Sequence, residues 1–163
     1  RAGAISVTLD SRHKDILDFL DLQTETGDIR RKSFDIFPSV TIPDIFMQRV
    51  INNENRTLFD PKEIHDITGK KLQDLFQDEF TAFYQELEQN PKIILKQTIS
   101  AKELFKRLLK TVVETGMPYI FFRDTVNRIN PNRHAGNIYS TQLCTEIAQN
   151  TSPSTFVEET DEN

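Results

Sequence analysis

A helix-rich α/β fold is what the sequence predicts, and three observations lead to it. Near the amino terminus, "AISVTLD" alternates apolar and polar residues like a strand, and "SRHKDILDFLDLQ" spaces its apolar residues like a helix capped by Ser11. Two later stretches, 72–87 and 104–112, repeat apolar residues along one helical face. The chain has 163 residues, of which 37% are hydrophobic, so it can bury the core of a single domain.

Start and stop signals predict the elements that follow. "FDIFPSVTIP" looks extended, and Pro38 favours an edge strand or a bulge, because proline lacks the amide hydrogen that a central strand uses. Asp44 is expected to cap a short helix that ends in the polar turn "NNENRT". Asp60, Pro61 and Glu63 predict another helix start, since they supply a cap, a suitable φ angle and a negative charge near the helix dipole.

The carboxyl-terminal half is predicted to contain two amphipathic helices, a strand and a long loop. We expect the stripe at 72–87 to serve core packing. "SAKE" at 100–103 is a capping box before the second helix, which Gly116 ends. "YIFF" then looks like a buried strand, and the segment 124–140, rich in Asn and Arg, like a loop.

Charge and composition exclude several classes of protein. The net charge is −5, and no run of Lys or Arg could form a groove for a nucleic acid polymer, although a single phosphate could still be held. No apolar stretch approaches the roughly 20 residues of a membrane span. A single cysteine argues against a disulfide scaffold, so we expect a reducing, cytoplasmic location.

Common catalytic motifs are missing from the sequence. His13, His65 and His134 stand apart from one another, and no HxxxH or CxxC spacing suggests a metal site. GxGxxG, GxSxG and Walker-type glycine loops do not occur either. Kinase, dehydrogenase and esterase chemistry therefore have no support.

The heptapeptide "TQLCTEI" holds the only cysteine. If its backbone is extended, Gln142, Cys144 and Glu146 project from one face at intervals of about 6.5 to 7 Å, which suits a sugar ring. A helix would separate these side chains. The alternative is a buried cysteine in an amphipathic turn, with Leu143 and Ile147 facing the core.

At these residues the sequence resembles a known family. "TQLCTEI" is similar to the Asn-Leu-Cys-x-Glu-Ile signature of the large, catalytic subunit of ribonucleotide reductase. Further stretches resemble that family in the same order: "RAGAISVTLDSRHKDILDFLD", "TIPDIFMQRV", "TLFDP" and "SAKELFKRLLKTVVETGMPYIFFRDTVNRINP". The resemblance covers residues 1–163 as a single segment, truncated at both termini relative to the family. In this motif, Leu143 is similar to the residue that the oxygen-dependent class I enzymes of the family carry at the same position.

The resemblance implies a segment of a ten-stranded α/β barrel that ends in a finger loop carrying the radical cysteine. It assigns Cys144 as the thiyl radical that takes the hydrogen from the ribose 3′ carbon, and Glu146 as the base for the 3′ hydroxyl proton. Gln142 stands where the family has an asparagine that orients the substrate hydroxyls. Arg1 matches the arginine of the specificity loop, and Ala2 and Leu143 are assigned to the same substrate and specificity group.

Cofactors and partners follow from the same resemblance. It implies a ribonucleotide substrate, dNTP and ATP effectors, and no metal in this chain. The radical comes from a small subunit with a dinuclear metal centre, the large subunit forms a homodimer, and a thioredoxin- or glutaredoxin-type protein is the reductant. We expect no turnover from this chain alone, because one thiol cannot complete a two-electron reduction.

Two hypotheses remain open at this point. One is a segment of the reductase catalytic subunit. The other is a non-enzymatic helical protein-interaction module that binds through the stripes at 72–87 and 104–112, with Cys144 buried for structural reasons. An extended, deep backbone at 142–146 would favour the enzyme, and a helical, peripheral one the module.

Overall fold

The structure, a computed structural model, describes residues 3–153 of the chain. These residues form a helix-rich α/β domain with an open three-stranded sheet and a separate two-stranded sheet. The fold class is as predicted, as a partial segment without a closed barrel. Its elements in chain order are β1 (Ile5–Asp10), α1 (Ile16–Leu20), a 3₁₀ turn (Ile29–Arg31), β2 (Ile36–Ile42), α2 (Asp44–Ile51), β3 (Asn55–Phe59), α3 (Pro61–Thr68), a 3₁₀ turn (Leu72–Asp74), α4 (Gln77–Gln89), β4 (Lys96–Ser100), α5 (Ala101–Thr115), β5 (Tyr119–Phe122) and α6 (Arg123–Ile129).

The three-stranded sheet is parallel, in the order β1-β2-β5. The prediction that Pro38 marks an edge strand or a bulge is wrong, because β2 is the central strand. Proline is tolerated there because β5 begins to pair only at Ser39, so no strand lies on that side at the level of Pro38.

The two faces of this sheet differ in chemistry because side chains alternate along each strand. One face packs Val40 and Ile42 against α1, α2 and α5. The opposite face, called the polar face below, carries the side chains in register with one another across the three strands: Thr8, Asp10, Ser39, Thr41 and Tyr119.

A second core lies around α4. Its buried members come largely from the stripe at 72–87, so the prediction that this stripe serves packing is confirmed. Tyr84 connects α4 to β3, since its hydroxyl donates to the Thr57 carbonyl (2.6 Å) and accepts from the Thr57 amide (2.8 Å). The antiparallel pair β3–β4 was missed, and β3 begins inside the segment predicted as a polar turn.

Helix starts and stops were predicted with mixed success. Asp60 and Ser100 do cap α3 and α5, accepting hydrogen bonds from backbone amides three residues ahead. Gly116 ends α5 at a φ of 77°, a left-handed conformation that glycine adopts without strain. The caps at Ser11 and Asp44 are wrong: neither side chain caps a helix, and Asp44 is already the first residue of α2.

Asp124 provides the hydrogen-bond acceptor at the start of α2 that the predicted cap at Asp44 does not provide. This fully buried carboxylate accepts from the Asp44 amide (2.7 Å) through Oδ2 and from the Gln77 amide (2.9 Å) through Oδ1. The stripe at 72–87 is interrupted before Gln77, where α4 starts. Asp124 belongs to α6 (Arg123–Ile129), so the prediction of a loop over 124–140 is wrong for its first part, 124–129.

Candidate active site

The predicted cysteine lies at the tip of a hairpin-like loop, residues 137–150, called the finger below. At the base, the Asn150 side-chain amide donates to the Asn137 carbonyl (2.7 Å). Nearer the tip the bonds are between backbone groups. The Gln142 backbone amide donates to the Ile147 carbonyl (2.9 Å), and the Thr145 backbone amide donates to the Gln142 backbone carbonyl (2.9 Å). The finger therefore presents Cys144 on a tight turn.

The prediction of an extended backbone from Gln142 to Glu146 is wrong. A turn closes there because the hydrogen bond between Thr145 and Gln142 spans three residues, and Thr145 has a positive φ of 72°. The Glu146 carboxylate still comes to Cys144, but it meets the backbone of that residue. The Glu146 carboxylate bends back and accepts from the Cys144 amide at 2.7 Å.

The other predicted site residues make no hydrogen bond with Cys144 or Glu146 among the described residues, or lie outside them. Within the described residues, the Gln142 side chain is exposed and makes no hydrogen bond with Cys144 or Glu146. Leu143 is half-buried beside the exposed Cys144. Arg1 and Ala2 lie outside the described residues.

Tyr119, the first residue of β5, was not predicted as a site residue, although its ionisation responds to groups at the finger tip. The pKa of its phenol is raised, first by hydrogen bonding with Cys144, then by desolvation, and further by the negative charges of Cys144 and Glu146. A tyrosine that opens a predicted strand carries no sequence signal for such an interaction.

The first half of the finger lies against the polar face. Tyr139 and Ser140, in the first half of the finger, line a cavity of about 270 Å³ with Thr8, Asp10 and Thr41, toward the carboxyl ends of β1 and β2.

The base of the finger is held by Asn127 of α6. This buried amide donates to the carbonyls of Arg123 (2.9 Å) and Ile138 (3.0 Å), and its oxygen accepts from the Ile138 amide (2.8 Å). Asn127 thus satisfies both backbone groups of Ile138 where no strand does so. The position of the finger consequently depends on α6.

We predict that Asn127→Ala loosens the finger base. The Ile138 amide would lose its acceptor, and its hydrogen exchange should accelerate by about tenfold or more, the equivalent of one hydrogen bond. NMR-detected exchange on this chain measures that rate.

Asn52→Ala is the matched control, since the Asn52 side-chain amide donates only to the exposed Glu54 carboxylate (3.1 Å). It should leave the exchange of Ile138 unchanged. An equal rate for Ile138 in wild type and Asn127→Ala would contradict the prediction.

Asp10 of the polar face is the centre of a buried charge cluster, which the sequence analysis also missed. The Asp10 carboxylate pairs with Arg123 (Oδ2 to Nη1, 2.5 Å) and with Arg12 (Oδ2 to Nε, 3.5 Å). Arg56 is close enough to act on Asp10 and stacks over the Phe46 ring at 4.0 Å. Arg123 also donates to the carbonyls of Gln73 (3.1 Å) and Leu75 (2.6 Å), which ties the start of α6 to the segment before α4.

The pKa values in this cluster show which interaction dominates. Desolvation raises the pKa of Asp10, but attraction to Arg12 and Arg123 outweighs it, so the pKa lies below the ordinary value. Desolvation lowers the pKa of Arg12 and of Arg56 despite the nearby Asp10. One carboxylate therefore carries the charge compensation for three buried guanidinium groups.

A groove of about 740 Å³ lies between α5 and the segment after α1, and it is lined by neither Cys144 nor Glu146. Among residues 3–153 no cluster of three or more His, Cys, Asp or Glu side chains could hold a metal ion. In the same part of the chain, none of the helices combines the length and apolarity of a membrane span.

Together these features define a helix-rich α/β segment that presents a cysteine and a glutamate on one loop. The sequence model of the family described as "Ribonucleotide reductase, barrel domain" matches residues 1–159. The match covers nearly all of the sequence, so the chain belongs to the ribonucleotide reductase barrel-domain family.

Curated relatives agree with this assignment. The chain is 49% identical over 155 residues to the ribonucleoside-diphosphate reductase subunit alpha of Synechocystis sp., covering 94% of this chain and 20% of the relative. It is 46% identical over 156 residues to the alpha subunit of Helicobacter pylori strain J99, covering 96% and 19%. It is 37% identical over 153 residues to the large subunit of Arabidopsis thaliana, covering 94% and 18%. The chain thus spans about a fifth of the length of these relatives.

The interaction-module hypothesis finds no support. The apolar side chains of the stripes at 72–87 and 104–112 largely pack into the two cores instead of facing a partner. Cys144 is exposed, which contradicts a buried structural cysteine. The backbone at 142–146 is neither extended nor helical, so the feature expected to separate the two hypotheses took a third form.

Proposed function

We propose that this chain is the part of a ribonucleotide reductase catalytic subunit that carries the radical cysteine, and that the intact subunit reduces ribonucleoside diphosphates to 2′-deoxyribonucleotides. One observation supports this most: Glu146 hydrogen-bonds to the backbone of Cys144 at the tip of the finger, in a chain of this family. The proposal requires that both functional groups reach one sugar.

Cys144 and Glu146 have distinct roles in this proposal. The Cys144 thiyl radical takes the hydrogen atom from the ribose 3′ carbon, which leaves a thiol on the protein and a radical on the sugar. Glu146 accepts the proton of the 3′ hydroxyl as a general base. The two electrons for reduction at the 2′ carbon come from a dithiol elsewhere in the parent protein. Gln142 orients the substrate hydroxyls.

Partners and location belong to the same proposal. The radical reaches Cys144 from a small subunit with a dinuclear metal centre, and a thioredoxin- or glutaredoxin-type protein renews the dithiol in the cytoplasm. The large subunit acts as a homodimer controlled by dNTP and ATP effectors. Arg1, Ala2 and Leu143 belong to the substrate and specificity group.

Glu146→Gln tests the general-base role. The glutamine oxygen can still accept from the Cys144 amide, so the turn is retained while basicity is lost. We expect the rate of deoxyribonucleotide formation to fall by about 10²-fold or more. The assay combines the full-length catalytic subunit, its small subunit, a thiol reductant and a ribonucleoside diphosphate.

Glu114→Gln serves as the control, because Glu114 lies on α5 in an exposed pair with Lys110 (3.6 Å). Its activity should equal that of wild type. Near-wild-type turnover by Glu146→Gln would remove Glu146 from the mechanism.

A further inference from the structure

We infer that the cavity between the polar face and the first half of the finger binds an oxyanion of the phosphate class, held by Arg123 and by the hydroxyls of Thr8 and Thr41. All three residues line this cavity of about 270 Å³. Neither Cys144 nor Glu146 lines it, so the inference does not depend on the proposed function.

Arg123 is the residue that points most directly to a ligand, because one of its donors is left over. Its side chain is only 5% exposed, and its Nη1 pairs with Asp10 at 2.5 Å. Its Nη2 donates to the carbonyls of Gln73 (3.1 Å) and Leu75 (2.6 Å). Its Nε is buried and has no hydrogen-bond partner within residues 3–153. A buried donor without an acceptor costs free energy, and a bound anion removes that cost.

Two aromatic rings hold the Arg123 guanidinium in place. Its central carbon lies 4.4 Å from the ring centroid of Phe76 and 4.9 Å from that of Phe80. With the Nη groups bonded and the plane held by these rings, the guanidinium cannot turn to find another protein acceptor for Nε. A guanidinium that is already fixed loses little side-chain entropy on binding, which favours recognition of an oxyanion.

The charge around the cavity also favours an anion. Three guanidinium groups, those of Arg12, Arg56 and Arg123, are buried, and each lies close enough to attract the Asp10 carboxylate. Asp10 alone would repel an anion, but the guanidinium groups outnumber it. The buried carboxylate of Asp124 is engaged by two backbone amides, and even when it is counted one positive charge remains in excess. Uncompensated buried charge is unfavourable, so an anion in the cavity would stabilise the cluster.

Thr8 and Thr41 supply further donors from the sheet. Thr41 is in register with Asp10, and Thr8 lies two residues before Asp10, so the three side chains share the polar face. A threonine hydroxyl can rotate to donate to a ligand oxygen. Donors thus come from two neighbouring strands and from the start of α6. This arrangement suits a tetrahedral oxyanion better than a planar carboxylate, since only the tetrahedral ion directs oxygens toward several walls.

The volume of the cavity limits the size of the ligand. It is several times the roughly 30 Å³ that one water molecule occupies in the liquid. It is also below the roughly 300–1,000 Å³ of pockets that enclose a drug-sized molecule. A phosphate group therefore fits, either as a free ion or as the terminal group of a nucleotide whose remainder lies outside the cavity.

Anomalous diffraction from crystals of the full-length catalytic subunit, soaked in selenate, tests the inference. Selenate is a tetrahedral oxyanion like phosphate, and its selenium can be located by its anomalous signal. We expect a selenium peak in this cavity, with a selenate oxygen within hydrogen-bond distance of Arg123 Nε. The absence of a peak there would overturn the inference.

The double variant Thr8→Val, Thr41→Val tests whether the sheet hydroxyls hold the ion. It removes both hydroxyls, keeps β-branched side chains on the strands and leaves the pair of Asp10 with Arg123 intact. The selenate concentration at half occupancy should rise about tenfold or more, since hydrogen bonds to a charged group are lost. Thr98→Val is the matched control, because Thr98 is an exposed threonine on β4 in the other sheet; it should bind selenate like wild type.

Competition at the selenium peak identifies the source of the oxyanion. If the site takes a free ion, inorganic phosphate should displace selenate at least as well as ADP does. If it takes the terminal phosphate of a nucleotide, ADP should displace selenate at a lower concentration than inorganic phosphate. A peak that neither competitor reduces would mark an adventitious ion only. That result, or equal half-occupancy concentrations in wild type and the double variant, would refute the site.

Discussion

Cys144→Ser in the intact catalytic subunit is expected to abolish deoxyribonucleotide formation. Serine has nearly the shape of cysteine, and it keeps the backbone amide that Glu146 accepts from. Its O–H bond, however, is too strong for the radical to pass to oxygen and back to the sugar. The measurement is product formation with the small subunit and reductant present. Nucleotide binding should be nearly unchanged, since the substitution alters one atom.

Ser140→Ala is the matched control for that experiment. Ser140 lies in the same finger but faces the cavity near its base, away from the tip. This variant should keep close to wild-type activity, which would show that a change in the finger is not in itself inactivating. Comparable turnover by Cys144→Ser would overturn the assignment of the radical.

Asp10→Asn is expected to have the largest effect on stability. The substitution removes the one negative charge among three buried guanidinium groups, and breaking a buried pair in this way costs about 3–5 kcal/mol. The free energy of unfolding of the chain, from urea titration at pH 7, measures the loss. Asp18→Asn is the control, because the pair of Asp18 with Arg31 is about two-thirds exposed on both sides and should contribute little.

The pH dependence of stability gives an independent check on Asp10. Its pKa is lower in the folded chain than the ordinary 3.8, so the contribution of the charged carboxylate is complete above about pH 4. That contribution is lost as the pH falls through the lower, folded pKa. Asp10→Asn should be less stable than wild type at neutral pH and should lose less stability on acidification. Equal stability at pH 7 would contradict the role assigned to the cluster.

Elements that depend on local signals were predictable from the sequence. The Asp60 and Ser100 caps, the glycine stop at Gly116 and the strand "AISVTLD" each follow from side chains within a few residues of one another. The family resemblance was likewise readable, because it rests on contiguous motifs. These features need no knowledge of which distant segments meet.

Features that depend on distant contacts were not predictable. Strand β3 opens with polar residues, and its pairing partner β4 lies about forty positions later. The helix start at Asp44 is completed by Asp124, 80 positions away, so no capping pattern near Asp44 could be correct. The charge cluster joins Asp10 to Arg123 across 113 positions.

The candidate site was predicted in composition but not in geometry. Cys144 and Glu146 were identified from the motif, whereas the turn that joins them needs a positive φ at Thr145, which a β-branched residue rarely adopts. The sequence analysis brought Cys144 and Glu146 together on one face of an extended backbone, which the structure does not have.

The two oxygens of Asp124 have a mechanical consequence for the finger. Because each oxygen binds a different helix start, an asparagine would turn its NH₂ group against one of the two amide donors, and position 124 therefore requires an acid. The helix that carries Asp124 also carries Asn127, which grips the finger. A displacement of α6 would therefore strain its hydrogen bonds to α2, to α4 and to the finger, so we expect these four segments to move together.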